Sequence, residues 1–181
     1  MGNIPSRTSK LPNYVLRRAA IRDWVYKESD GRITHLLTVR LIPPLSDLDP
    51  MRWNERTRSN REVALKWIVG EIDRALLGCD HHARPMSVKV PFISIEECHT
   101  SAGQPTYAHF HIAFMVPDSW RQRFDSRWTS KIATKIERAL SRLEFIPDIQ
   151  IKSANERLAD YITKNGEREE TEIHTRLTLR I

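Results

Sequence analysis

Long apolar runs are absent from this 181-residue sequence. None approaches the roughly 20 residues that a helix needs to span a membrane. Residues 1–10 also lack the apolar core of a secretory signal peptide. We therefore expect a cytoplasmic protein without a membrane partner.

Cysteine is scarce as well, since Cys79 and Cys98 are the only two in the chain. Two thiols do not make a disulfide scaffold. The segment Cys79-Asp80-His81-His82 contains side chains that zinc binds, but the sequence has no Cys-x-x-Cys pair to complete such a site. We favour two reduced thiols, with a zinc site as the alternative.

Acidic residues are fewer than basic residues in this sequence. There are 29 Lys and Arg residues against 23 Asp and Glu, which gives a formal net charge of +6 and a sequence pI near 9.6. Such a balance is typical of nucleic-acid-binding proteins. The length suits one domain, so we predict a flexible arm over residues 1–13 and a single domain over residues 14–181.

Hydrophobic patterning predicts alternating strands and helices. Strands are predicted over residues 33–42, 87–98, 107–116, 145–152 and 173–181. Helices are predicted over residues 61–77 and 153–166, and residues 118–143 are predicted to form a helix or a helix pair. Residues 44–60 are predicted to be a loop, and residues 14–26 form either a basic helix or irregular structure. This order indicates an α+β fold, with a central, mostly antiparallel sheet of about five strands and flanking helices.

Two histidines lie one residue apart in the strand Tyr107-Ala108-His109-Phe110-His111-Ile112-Ala113-Phe114. Alternate side chains of a strand project to opposite faces, so His109 and His111 share a face, about 7 Å apart along the backbone. Two neighbouring imidazoles on an otherwise apolar strand predict half of a metal site.

The preceding strand supplies a carboxylate for the same face. Gly103 and Pro105 predict a hairpin turn, and a turn centred near Gly103 places residue 97 opposite residue 109. Glu97 would then join the two histidines, whereas a shift of one residue would present Glu96. One carboxylate and two imidazoles suit Mg²⁺ or Mn²⁺. We favour Glu97 and leave Glu96 open.

A possible nucleophile follows on the last predicted helix. Ser153-Ala154-Asn155-Glu156 is a capping box, and Asn165-Gly166 provides a stop. Tyr161 and Lys164 lie three residues apart and share a helical face. A phenol attacks poorly at neutral pH, but a polarised phosphate and a nearby ammonium would favour attack.

Together these motifs resemble the HUH endonucleases, specifically the single-tyrosine Rep proteins that initiate rolling-circle replication. The strand Leu36-Leu37-Thr38-Val39-Arg40-Leu41 resembles their first motif. His109-Phe110-His111, preceded by Glu96-Glu97-Cys98-His99 and Gln104-Pro105, resembles the second, and Tyr161-Ile162-Thr163-Lys164 resembles the third. The segment Thr106-Tyr107-Ala108 is longer than in viral members, which bears on the register of the hairpin.

The resemblance implies the RRM/ferredoxin-like fold of these enzymes and a reaction. Tyr161 would attack a phosphate in single-stranded DNA at an origin or hairpin, aided by Lys164 and by a divalent ion on Glu97, His109 and His111. The product would be a 5′-phosphotyrosine and a free 3′-OH, and the reverse reaction would rejoin the strand. No Walker-type phosphate loop is present, so a separate helicase is an expected partner.

The motifs leave other functions open. A single-tyrosine transposase or mobilisation nuclease would share the chemistry, and an origin-binding repressor could retain the fold without catalysis. Basic residues with neighbouring tryptophans could contact DNA, although a solvated charged helix face explains several of them equally well. The candidate DNA-binding residues are Arg40, Arg121, Arg127 and Lys131.

Overall fold

Five strands form one antiparallel sheet in the order β4-β1-β3-β2-β5. The computed structural model describes residues 23, 33–45, 48–85, 88–100, 102–154 and, by their backbone, 172–176. The strands are β1 (His35–Ile42), β2 (Phe92–His99), β3 (Pro105–Phe114), β4 (Ile146–Ser153) and β5 (Glu172–Arg176). The predicted α+β class with a mostly antiparallel sheet is therefore confirmed.

Four α-helices connect these strands within the described residues. They are α1 (Pro50–Arg56), α2 (Arg58–Leu77), α3 (Asp118–Arg127) and α4 (Ala133–Ser141). A short 3₁₀ turn (Cys79–His82) follows α2, and a π-helical turn (Trp128–Ile132) joins α3 to α4. None of the helices in the described part of the chain is long and apolar enough to cross a membrane.

The connections place β3 at the centre of the sheet. Helices α1 and α2 link β1 to β2, and α3 and α4 link β3 to β4. In each unit, the two strands that the helices connect are separated in the sheet by one other strand. Each unit is therefore a split β-α-β. The first four strands thus have an arrangement that is compatible with a ferredoxin-like fold.

The two faces of the sheet differ in what they bury. One, called here the core face, carries the apolar side chains of Leu37, Val39, Phe110, Ile112 and Phe114, which pack with residues of all four helices. The opposite face, called here the ligand face, presents the alternate positions of the same strands, because neighbouring side chains point to opposite sides. The helices therefore stabilise the sheet from the side opposite to His109 and His111.

One predicted segment is wrong. Residues 44–60 were expected to be a loop, but they contain α1 and the start of α2. The Asp49 side chain accepts a hydrogen bond from the Arg52 backbone N–H at 3.0 Å, and Pro50 occupies the first turn. An Asp-Pro pair is a helix-start signal, and the prolines further upstream obscured it.

Other boundaries shifted by smaller amounts. The strand predicted from residue 87 begins at Phe92. Residues 118–143, predicted to be a helix or a helix pair, form two helices joined by the π-helical turn. The predicted arm over residues 1–13, the segment 14–26 apart from Asp23, and most of the helix predicted over 153–166 lie outside the described residues.

Candidate metal centre

The hairpin of β2 and β3 has the register predicted for the metal site. Glu97 pairs with His109, and Ile95 pairs with His111. The longer segment before His109 does not move this register, because three residues of β3 (106–108) lie opposite the single residue Cys98. The extra length is therefore taken up as a bulge, a feature that often lies beside functional sites.

Three potential ligand atoms converge on the ligand face. The Nε2 atom of His109 lies 3.2 Å from Oε2 of Glu97, and Nε2 of His111 lies 3.5 Å from the same oxygen. One ligand atom from each residue falls within 4.8 Å of the others. The group could therefore bind a metal ion, with one carboxylate and two imidazoles as its protein ligands.

The outer nitrogens of both imidazoles have acceptors that orient the rings. Nδ1 of His109 lies 3.3 Å from the backbone carbonyl oxygen of Tyr107, and Nδ1 of His111 lies 3.1 Å from the Thr38 hydroxyl. A carbonyl only accepts, so it favours a proton on Nδ1, and the Thr38 hydroxyl can accept in the same way. The Nε2 lone pairs are then available towards Glu97, which is the usual arrangement of metal-binding histidines.

Two of the three candidate ligands are deeply buried. Glu97 is 3% exposed and His111 is 2% exposed. On the same face Ile93, Ile95 and Ala113 are also buried. Burial of an ionised carboxylate is costly unless a cation or hydrogen bonds compensate it, and a divalent cation between Glu97 and two neutral imidazoles would supply that compensation.

The alternative ligand Glu96 projects to the core face. Its Oε1 atom accepts a hydrogen bond from Nε of Arg61 at 2.5 Å, and both side chains are buried. The guanidinium of α2 therefore neutralises Glu96. The register places Glu97, and not Glu96, beside the histidines.

A cleft of about 210 Å³ opens next to the two histidines. Its walls are formed by β1, β3 and β4 residues of the ligand face, namely Leu36, Thr38, Arg40, His109, His111, Asp148, Gln150 and Lys152. Arg40 and Lys152 are exposed, and the Arg40 guanidinium lies 3.9 Å from Asp148. Positive charge and hydrogen-bonding groups thus lie beside the candidate ligands.

The other predicted DNA-binding residues lie elsewhere. Arg121 and Arg127 belong to α3, and Lys131 belongs to the π-helical turn that follows it. This region packs on the core face through Phe124 and Trp128, and Arg121 lines a separate hollow of about 720 Å³. The structure brings Arg40 to the histidines but does not bring these three residues there.

The predicted nucleophile and its lysine, Tyr161 and Lys164, lie outside the described residues. Among the residues that are described, Glu97, His109 and His111 are the one group of three or more potential ligands that converges. Cys79-Asp80-His81-His82 does not form such a group, so the zinc alternative gains no support.

Sequence reasoning missed two residues that bond to β3 at or near the site. Thr38 pairs with His111 in the β1–β3 register, and its hydroxyl at the centre of an apolar strand was a usable signal. Asn54 bonds to the β3 backbone at Thr106 and Ala108, but it lies in the segment predicted to be a loop, so nothing in the sequence connected it to β3.

Comparison of the chain with protein-family models, with curated proteins and with solved structures gave no match.

Proposed function

We propose that this chain is a divalent-metal-dependent endonuclease that nicks and rejoins single-stranded DNA through Tyr161. The observation that carries the proposal is the convergence of Glu97, His109 and His111, each imidazole turned by an acceptor on its outer nitrogen. The resemblance of the ordered motifs to the HUH endonucleases assigns a reaction to such a centre.

The proposed cation is Mn²⁺ or Mg²⁺. Both accept carboxylate and imidazole ligands and keep open positions for water and phosphate oxygens. Bound between these three residues, the cation would polarise a phosphate group and stabilise the negative charge that develops on it. Glu97 would contribute the negative charge, and His109 and His111 the neutral nitrogen ligands.

The proposed reaction is a transfer of the phosphate from one oxygen to another. The Tyr161 phenolic oxygen attacks the phosphorus and loses its proton, while the bond to the 3′ oxygen breaks and that oxygen gains a proton. Lys164 would stabilise the charge on the phosphate. The 5′ end remains covalently attached to Tyr161, so the same 3′-OH can rejoin the strand by the reverse step.

The cleft beside the histidines supports a nucleic-acid substrate. Arg40 and Lys152 offer positive charge for the phosphate backbone, and Gln150 offers an amide that can bond to base or sugar groups. We propose that DNA passes along β1 and β4 before it reaches the metal centre. Contacts from Arg121, Arg127 and Lys131 stay a prediction, because they lie away from this path.

The biological role proposed from this chemistry is initiation of rolling-circle replication at an origin or hairpin. The free 3′-OH would prime synthesis, and a separate helicase would provide single-stranded template. Transposition or mobilisation would use the same step on a different DNA target.

The test is to incubate the full chain with end-labelled single-stranded DNA containing a candidate origin hairpin, with Mn²⁺, with Mg²⁺ or with a chelator. We expect a covalent protein–DNA adduct that requires the cation. Tyr161→Phe should abolish the adduct and leave Mn²⁺ binding unchanged, whereas His111→Ala should abolish both.

A matched control is Tyr26→Phe, which removes a phenol that none of the three motifs includes. It should retain adduct formation. An adduct formed by Tyr161→Phe would contradict the assigned nucleophile, and a wild-type chain that forms no adduct with either cation on any single-stranded origin DNA would contradict the proposed function.

A further inference from the structure

Two consecutive residues of α1 close the gap where β1 and β3 separate. The ladder between these strands ends at the pair Arg40 and His109. Beyond it, Nε1 of Trp53 donates to the Leu41 carbonyl oxygen of β1 at 3.3 Å. The next residue, Asn54, bonds to β3. Helix α1 thus replaces the missing strand partner for both strands, as buried backbone groups require.

Asn54 bonds to both sides of the β3 bulge. Its Nδ2 atom donates to the Thr106 carbonyl oxygen at 2.8 Å, and its Oδ1 atom accepts from the Ala108 N–H at 2.9 Å. A side-chain amide offers a donor and an acceptor together, so it can replace the edge of a strand. Asn54 is 8% exposed, so these bonds are largely shielded from competing water.

The residue between those two bonds orients a candidate metal ligand. Tyr107 lies at the middle of the bulge, and its carbonyl oxygen faces Nδ1 of His109 at 3.3 Å. The Tyr107 hydroxyl donates to the Leu48 carbonyl oxygen at 2.9 Å, which anchors the same residue from its other end. The direction of the Tyr107 carbonyl, and with it the ring of His109, therefore depends on how the bulge is held.

A buried guanidinium connects this anchor to the other strand of the hairpin. Arg61 donates to the Asn54 carbonyl oxygen through Nη1 and to Glu96 through Nε. Glu96 precedes the candidate ligand Glu97 on β2. The hydrogen bonds of Arg61 and Asn54 therefore fix the backbone next to Glu97 in β2 and next to His109 in β3.

We infer that Asn54 is a positioning residue for the metal centre, acting through the Tyr107 carbonyl on the His109 imidazole. The inference rests on the metal centre of the proposed function, but it does not depend on DNA cleavage. Loss of an outer hydrogen-bond partner of a metal-binding histidine typically lowers metal affinity about 10- to 100-fold. We expect Asn54→Ala to lower the affinity for Mn²⁺ by about 10-fold, at the lower end of that range, because Asn54 acts through one intervening residue.

The test uses the full chain and Mn²⁺ alone, with free Mn²⁺ measured by electron paramagnetic resonance. Thr57→Val is the matched control, since the Thr57 hydroxyl is buried one turn further on and bonds only to the Trp53 carbonyl oxygen in α1 among the described hydrogen bonds. Asn54→Asp is measured alongside. It keeps an acceptor for the Ala108 N–H but loses the donor to Thr106, so an intermediate loss of affinity is expected.

A second readout separates positioning from general destabilisation. In the metal-free protein, nitrogen chemical shifts of His109 should report a proton on Nδ1 in the wild type and in Thr57→Val. Asn54→Ala should show a mixture of the two neutral forms. Thermal unfolding midpoints of each variant give the loss of stability, and all affinities are measured well below them.

The inference stands if Asn54→Ala weakens Mn²⁺ binding and changes the His109 protonation pattern while Thr57→Val does neither. It is overturned if Asn54→Ala binds Mn²⁺ as the wild type does, or if both variants weaken binding equally. Should Asn54→Ala not fold, the comparison of Asn54→Asp with Thr57→Val decides in the same way. A wild-type chain that binds no Mn²⁺ would overturn the metal centre and this inference together.

Discussion

Glu96 and Glu97 are neighbours on β2, and both carboxylates are buried, but they lie on opposite faces of the sheet and have different partners. Glu96 is 4% exposed and Glu97 is 3% exposed. On the core face, Glu96 is paired with the permanent cation of Arg61. On the ligand face, Glu97 faces the imidazoles of His109 and His111, which carry no permanent charge.

This difference separates a carboxylate that is ion-paired within the fold from one that is a candidate metal ligand. A guanidinium compensates Glu96 at every physiological pH, so this pair belongs to the fold. Glu97 lies beside two imidazoles that can also serve as metal ligands, so this group could bind a cation from solution. The same strand can therefore stabilise the protein with one residue and bind a metal with the next.

The strongest test of the comparison removes the permanent cation. Arg61→Met should lower the free energy of unfolding by about 3–5 kcal/mol, because it leaves Glu96 buried without its ion-pair partner. Urea denaturation followed by circular dichroism measures this. The double variant Arg61→Met/Glu96→Gln should recover part of the loss, and a single variant as stable as the wild type would remove the structural role of the pair.

Glu97→Gln should give the opposite result on the other face. The described neighbours of Glu97 are imidazoles rather than a guanidinium, and an amide costs less to bury than a carboxylate, so the unfolding free energy of the metal-free protein should be unchanged or higher. Affinity for Mn²⁺ should fall by more than about 100-fold, because the anionic member of the three candidate ligands is lost. Isothermal titration calorimetry and urea denaturation on the same samples would check both. A large loss of metal-free stability would make Glu97 structural like Glu96.

Thr38→Val gives a smaller effect that sharpens the role of the imidazoles. The substitution keeps the shape of the side chain but removes the acceptor at Nδ1 of His111. Affinity for Mn²⁺ should fall by about 10-fold, and Thr38→Ser should restore most of it. Equal affinities for Thr38→Val and the wild type would show that the hydroxyl does not orient His111.

His81 extends the comparison to a buried basic group and gives the smallest expected effect. Burial lowers the pKa of the His81 imidazole below its usual value of 6.5, and the neighbouring His82 lowers it further. Neither ring nitrogen of His81 has a hydrogen-bond partner among the described residues. The unfolded chain therefore binds the proton first, and stability is lost as the pH falls below about 6.5.

His81→Phe should reduce this acid-dependent loss of stability relative to the wild type. Urea denaturation at pH 7.5 and at pH 5.5 measures it, with His82→Phe as the control for general effects of the turn. Identical pH dependence in His81→Phe and the wild type would show that His81 does not contribute.

The sequence predicted the ligand face better than the core face. Strand alternation and a hairpin turn were enough to pair Glu97 with His109, because both signals are local. The role of Asn54 depends on a contact between α1 and a bulge 52 and 54 residues further along the chain, and no local pattern reports such a contact. The ion pair of Glu96 with Arg61 was missed for the same reason, since neither residue shows its partner in sequence.

The longer segment before His109, which forms the bulge in β3, is a related case. Extra residues before His109 gave reason to doubt the register, since a shift of one position would have exchanged Glu97 for Glu96. The bulge preserves the register because Asn54 satisfies the backbone groups that the ladder loses there. Whether an insertion shifts a strand or forms a bulge depends on such tertiary partners, which sequence patterns do not reveal.

The most direct test of the metal centre is a pulsed electron paramagnetic resonance measurement on the full chain titrated with Mn²⁺. We expect one Mn²⁺ per chain with modulation from the nitrogens of two imidazoles, and stepwise loss of that modulation in His109→Ala and His111→Ala. A chain that binds no Mn²⁺, or a bound Mn²⁺ without imidazole nitrogen in its coordination sphere, would contradict it.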